Sequence, residues 1–160
     1  MRWYWIDKFT EFTSKKSATA LKCVTLAEEH LHDLYPDFPI VPHSLIVEGM
    51  AQTAGILVGE ARDFSQKVIL AKIGRATFHR LVRPGQTLEY KAVIEQLSDH
   101  GARVAGTVAA DGQHVADIEL MFSHIDQNMA GMSFPKENFV FTGQFTRLLE
   151  DFRVHADIKI

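Results

Sequence analysis

A chain of 160 residues and 18.0 kDa has room for one domain with a sizeable core, or for that domain and a short appendage. Its formal charge of −3, with 46% hydrophobic and 23% charged residues, excludes a surface built throughout for nucleic acid. Cys23 is the single cysteine, which excludes an internal disulfide and a cysteine-rich metal site.

The N-terminus MRWYWIDKF carries Arg2, Asp7 and Lys8, and no apolar run of signal-peptide length follows it. The most apolar segment, 45–61, is interrupted by Glu48, Gln52 and Glu60, so no membrane span is expected. A cytoplasmic protein is the reading.

Residues 3–12, WYWIDKFTEF, are aromatic and strand-prone; TSKKS is a polar turn, and ATALKCVTL at 18–26 is the return strand of a hairpin. Glu28 to Asp33 is polar and irregular. Pro36, Pro39 and Pro42 then stiffen a loop, since each removes a backbone donor and pushes the preceding residue to an extended conformation. A helix is predicted from His43 or Ser44 to about Arg62. Leu45, Ile46, Val47, Met50, Ala51, Ala54, Ile56, Leu57 and Val58 cover nearly every direction of its wheel, which makes it a buried helix. Ser44, Glu48 and Gln52, at i, i+4 and i+8, form one narrow polar stripe on it.

Strands are predicted at 68–73, 76–82 and 87–97, with a turn at Arg83-Pro84-Gly85. Asp111-Gly112 between alternating segments marks a last hairpin. This order predicts an α+β domain, a curved antiparallel sheet around one central helix, over residues 1–126. Residues 127–160 form a C-terminal extension without independent domain status. In it Phe145, Leu148, Leu149 and Phe152 at i, i+3, i+4 and i+7 predict an amphipathic helix over Gln144–Val154.

Glu48 is the leading candidate for chemistry. A carboxylate on an apolar helix needs a partner, a hydrogen bond or a proton, and acids so placed serve general acid–base catalysis as well as structural pairing. His43 stands at the helix N-terminus, where unpaired N–H groups can polarise a carbonyl. Lys72, Arg75, Arg80 and Arg83 lie in a run from Phe64 to Leu88 that has no acid, a basic face for an acidic partner or a phosphate-bearing ligand, or a charged sheet edge. His30 and His32 form a His-x-His pair with no third spaced ligand, and no metal or cofactor is expected.

YPDFPIVPHSLIVEGMAQTAGIL resembles the signature of the 3-hydroxyacyl-[acyl-carrier-protein] dehydratases of the FabA/FabZ type, H-F-P-G-x-P-x-x-P-G-x-L-x-x-E-A-M-A-Q. ATFHRLVRPGQTLEY resembles that family's A-x-F-x-R-x-V-x-P-G-D-x-L segment. The resemblance spans residues about 4 to 124 and implies a hot-dog fold paired into a dimer, with sites at the subunit interface. It also implies a lyase of fatty-acid or related lipid or polyketide biosynthesis acting on an acyl carrier protein or coenzyme A thioester. The family's catalytic carboxylate falls on Glu48 and the glutamine of M-A-Q on Gln52. Ser44 and Gln52 are then expected to bind substrate, and Lys72, Arg75, Arg80 and Arg83 the carrier. The family histidine, which shares proton transfer with the carboxylate of the opposite subunit, falls on Leu34, and two motif glycines fall on Asp37 and His43. Three readings follow: a dehydratase in which His43 or His32 has taken over, a thioesterase using Glu48 alone, and a non-catalytic acyl-binding or partner subunit.

Overall fold

The computed structural model describes residues 4–125, 128–129, 132–133 and 143–157. Six strands form one antiparallel sheet in the order β1-β2-β4-β5-β6-β3: β1 (Lys8–Thr13), β2 (Ser17–Cys23), β3 (Lys67–Phe78), β4 (Thr87–Leu97), β5 (Gly101–Ala110) and β6 (Gln113–Ile125). A short helix, α1 (Glu29–Asp33), and the long α2 (His43–Glu60) lie between β2 and β3.

The sheet curls around α2 because α2 has apolar residues on nearly every side. Ile46, Met50, Ala54, Ile56, Leu57 and Val58 are all but inaccessible, and they meet the inward residues of the strands, among them Leu88, Tyr90, Val104, Val108, Ile118 and Leu120. Burying one such aliphatic side chain contributes roughly 1.5–3 kcal/mol, so this single interface carries most of the core. No helix of the described residues is long and apolar enough to cross a membrane.

Several boundaries differ from the sequence reading. The segments 68–73 and 76–82 are one strand, β3, because register irregularities between Leu70 and Lys72 and between Ile73 and Arg75 let the ladder with β6 continue. The strand stops at Phe78, and the His79 N–H donates to the Val115 carbonyl at 2.8 Å, so 79–82 belong to a loop. The first strand starts at Lys8 rather than residue 3; Trp5 and Ile6 are buried ahead of it. The supposedly irregular 28–33 stretch holds α1, anchored by buried Leu31. At the far end, Asp111 and Gly112 have φ of 49° and 76°, the left-handed pair that a two-residue hairpin requires.

Most of the connector at 127–143 lies outside the described residues; within it Asn128–Met129 (β7) pairs with Met132–Ser133 (β8). The last helix, α3 (Gly143–Asp157), is longer at both ends than predicted and lies along β1. Leu149 is fully buried, Leu148 and Phe152 pack on the core, and Arg153 donates to Glu60 Oε1 at 2.7 Å. The side chain of Phe145 is outside the described residues.

Candidate active site at the start of the central helix

The approach to α2 is set by Pro42, which precedes the first helical residue and leaves the opening N–H groups without a side-chain cap. Leu45 and Ile46 donate to the Pro42 carbonyl, so the amides of His43 and Ser44 are those left at the tip. The loop leading in is tied to the loop after β3 by a hydrogen bond from the Val41 N–H to the Val82 carbonyl, 2.9 Å.

The polar stripe is real, but its members sit in different environments. Ser44 and Glu48 are exposed, whereas Gln52 is buried. Gln52 Nε2 donates to Glu48 Oε1 at 2.8 Å, and Gln52 Oε1 accepts the backbone N–H of Trp5 at 2.7 Å. The second bond fixes which end of the amide faces Glu48: with its oxygen committed to Trp5, only the NH₂ is left for the carboxylate. The expectation of a buried Glu48 is therefore corrected. In the single chain its carboxylate reaches solvent, because the face of α2 that carries Ser44 and Glu48 is left uncovered while Ile46, Gly49 and Met50 are buried, and a buried amide holds it from behind.

One residue on, Gly49 is a close approach. A Cβ there would lie 2.4 Å from Tyr90 Cζ and 2.9 Å from Trp5 Cδ1, so Tyr90 and Trp5 occupy the space a side chain would need. Burial pushes the Tyr90 hydroxyl well above the usual phenol range, and the Trp5 side chain, as a hydrogen-bond neighbour, works in the opposite direction.

His43 is exposed and stacks on Phe78, ring centroids 4.0 Å apart and planes within 1°. Five residues along a helix rotate a side chain by about 140° relative to Glu48, so the two point away from a common centre within one chain. Leu34 follows α1 and is 54% exposed, as are Tyr35, Phe38 and Leu81 to similar degrees. The four basic candidates separate into two places. Arg80 and Arg83 line one pocket with Leu81 and Gln86, and the Arg83 guanidinium sits 4.3 Å over the Phe38 ring. Lys72 lies along the strand beside Arg103 in a groove on the outer face, and Arg75 is paired with Glu119 at 2.8 Å. A single basic face spanning all four does not form.

The sequence reading took His30 only as half of a weak His-x-His pair in a solvated loop. It turns inward against Trp5, ring centroids 5.0 Å apart, with Glu28 3.8 Å away, while Lys22 pairs with that same Glu28. Burial depresses His30, and Glu28 partly restores it. Only the helical phase of α1, which puts Leu31 in the core, could have signalled this. His32, by contrast, is exposed.

The FabA-like domain family matches residues 3–123. The chain belongs to that family. It is 36% identical over 119 residues to the 3-hydroxyacyl-[acyl-carrier-protein] dehydratase FabZ of Roseobacter denitrificans, covering 71% of this chain and 78% of that protein. With the FabZ of Thiobacillus denitrificans it shares 38% over 120 residues, 72% and 83% of the two chains. Among solved structures, the dehydratase heterocomplex ApeI:P from Xenorhabdus doucetiae superposes with a TM-score of 0.63 at 13% identity, over 78% of this chain and 84% of that one. A hypothetical thioesterase with coenzyme A from Streptococcus pneumoniae gives 0.62 at 8% identity, over 76% and 88%. At such identities these structures establish the hot-dog fold alone.

Proposed function

We propose that the chain is a 3-hydroxyacyl thioester dehydratase-type protein of fatty-acid or related lipid biosynthesis, with Glu48 as its acid–base carboxylate. The observation that carries this reading is the Trp5–Gln52–Glu48 series of hydrogen bonds, which presents an exposed carboxylate at a fixed place beside the uncapped start of α2. The amides of His43 and Ser44 would polarise the thioester carbonyl, which acidifies the α-carbon. One group removes the α-proton, the β-carbon–oxygen bond breaks, and the hydroxyl leaves as water with a proton from the second group.

Glu48 supplies one of those groups. The other comes from across a subunit interface, so the reading requires a dimer or a multiple of dimers. Edge strand β3, with Leu70 39% and Ile73 46% exposed, is the surface that supports such pairing. Arg80 and Arg83, beside the entry loop, suit the acidic surface of an acyl carrier protein or the phosphates of coenzyme A. A cytoplasmic setting agrees with the exposed free thiol of Cys23.

Leu34 favours a second reading: the chain contributes the carboxylate half of a site whose histidine belongs to a homologous partner. The test is the formation of enoyl thioester from a 3-hydroxyacyl thioester by the purified chain. Turnover lost in Glu48→Gln and in His43→Ala supports the complete enzyme. No turnover alone, restored by Leu34→His, supports the half-site. Release of free thiol without enoyl product overturns both in favour of a thioesterase.

A further inference from the structure

Away from the start of α2, on the outer face of the sheet, three side chains converge on one point. His79 Nε2 lies 2.9 Å and His114 Nε2 3.0 Å from the same oxygen, Asp117 Oδ2. The two imidazole rings are 5.0 Å apart, centroid to centroid, and the three ligating atoms lie within 4.8 Å of one another. We propose that His79, His114 and Asp117 form a binding site for a late divalent transition metal, Zn²⁺ in the first place.

The backbone is what makes this more than a chance meeting of surface side chains. Three residues apart on a strand, His114 and Asp117 should point to opposite faces. The pairing of β5 with β6 skips a residue: Val108 faces Ala116 and Ala109 faces His114, which leaves Val115 as an extra residue in β6. That bulge turns both Val115 and Ala116 inward, where they are buried, and sends His114 and Asp117 to the same outer side. His79 is brought alongside by the β3–β6 ladder, which pairs Thr77 with Asp117 and Phe78 with Ala116 and continues through the hydrogen bond from His79 N–H to the Val115 carbonyl. All three Cα positions are thus held by sheet hydrogen bonds.

The donor set selects the ion. Two imidazole nitrogens and one carboxylate oxygen suit zinc, and nitrogen ligands argue against magnesium and calcium. In a tetrahedral zinc site with ligand distances of about 2.0–2.1 Å, ligand atoms stand roughly 3.3 Å apart. The two histidine-to-Asp117 distances need to open by only a few tenths of an ångström, and all three side chains are about half exposed and free to rotate. The solvent side leaves a fourth position for water. A bound ion would fasten the root of the loop that carries Arg80 and Arg83 to β6.

The experiment uses the full chain without a histidine tag, stripped with EDTA and titrated with Zn²⁺ in competition with a chromophoric chelator. One zinc per chain is expected, with the affinity at least tenfold lower in His114→Ala and in Asp117→Asn and unchanged in His32→Ala. Both weakened variants change side chains that are about half exposed, and their circular dichroism should match the parent. Zinc should also raise the melting temperature of the parent but not of His114→Ala. Substoichiometric binding, or zinc affinity equal in the parent and both site variants, overturns the proposal, as does a loss of binding in His32→Ala.

Discussion

Replacing Gly49 by alanine tests how the carboxylate is braced. On an isolated helix the change would stabilise by about 1 kcal/mol, since alanine is the better helix former. Here the new Cβ would meet Tyr90 Cζ at 2.4 Å, Tyr90 Oη at 2.6 Å and Trp5 Cδ1 at 2.9 Å. Tyr90 is wholly inaccessible and Trp5 5% exposed, so neither ring can swing into solvent. Overpacking of this kind costs roughly 1–3 kcal/mol and here outweighs the propensity gain. Net of the propensity gain, up to about 2 kcal/mol is lost, and with about 2–4 °C per kcal/mol for a chain of this size the melting temperature should fall by up to about 8 °C. Thermal unfolding followed by circular dichroism measures it. In a Tyr90→Ala background, where the main obstruction is gone, the same substitution should lose most of its cost. A higher melting temperature for Gly49→Ala with Tyr90 intact would refute the reasoning. So would an undiminished cost after Tyr90 is removed. The family motif carries alanine at this position, so Gly49 and Tyr90 are expected to work as a pair.

Glu48→Gln should lower enoyl thioester formation by about 10²-fold or more, while an exposed, nearly isosteric change leaves the melting temperature within about 2 °C. Leu34→His, at a position 54% exposed, should cost little stability and raise turnover by about 10²-fold or more. A well-folded variant with no gain would dispose of the idea that the missing histidine limits this site. Gln52→Leu removes both the acceptor for the Trp5 N–H and the donor to Glu48, and denaturant titration should register a loss of about 1–3 kcal/mol. For pH, burial lowers His30, so below about pH 6.5 the unfolded chain takes up a proton that the native chain resists, and stability falls with pH. Burial raises Tyr90, so above about pH 10 the unfolded chain loses a proton that the native chain keeps, and stability falls again. Melting temperatures measured across pH should plateau between those limits, and a steady rise through pH 11 would contradict the assignment.

What could be read from residues alone was whatever depends on near neighbours in sequence. The helical period places Glu48 and Gln52 on one face, and the hydrogen bond between them follows from a spacing of four. Asp111-Gly112 marks its hairpin because few other pairs accept positive φ twice. What escaped depends on contacts between distant segments. Trp5 stands 47 residues from the Gln52 side chain that accepts its N–H, and no periodicity links them. The exposure of Glu48 depends on which face of α2 the sheet covers. The division of Lys72, Arg75, Arg80 and Arg83 depends on β3 ending at Phe78 and on Glu119 arriving from β6. The grouping of His79 with His114 rests on a bulge at Val115, which a strict two-residue alternation hides.

The place of β3 in the sheet has a consequence for how the chain is made. It is the third strand to leave the ribosome, yet its ladder is with β6, the last strand of the sheet, from Lys67 opposite Ile125 to Phe78 opposite Ala116. Until β6 has emerged, β3 has no strand partner in its own chain, and the side of α2 that meets β3 and β6 lacks its full cover. A nascent chain stalled before residue 113 should therefore be a client of chaperones, and folding should be a single late event set by the arrival of β6.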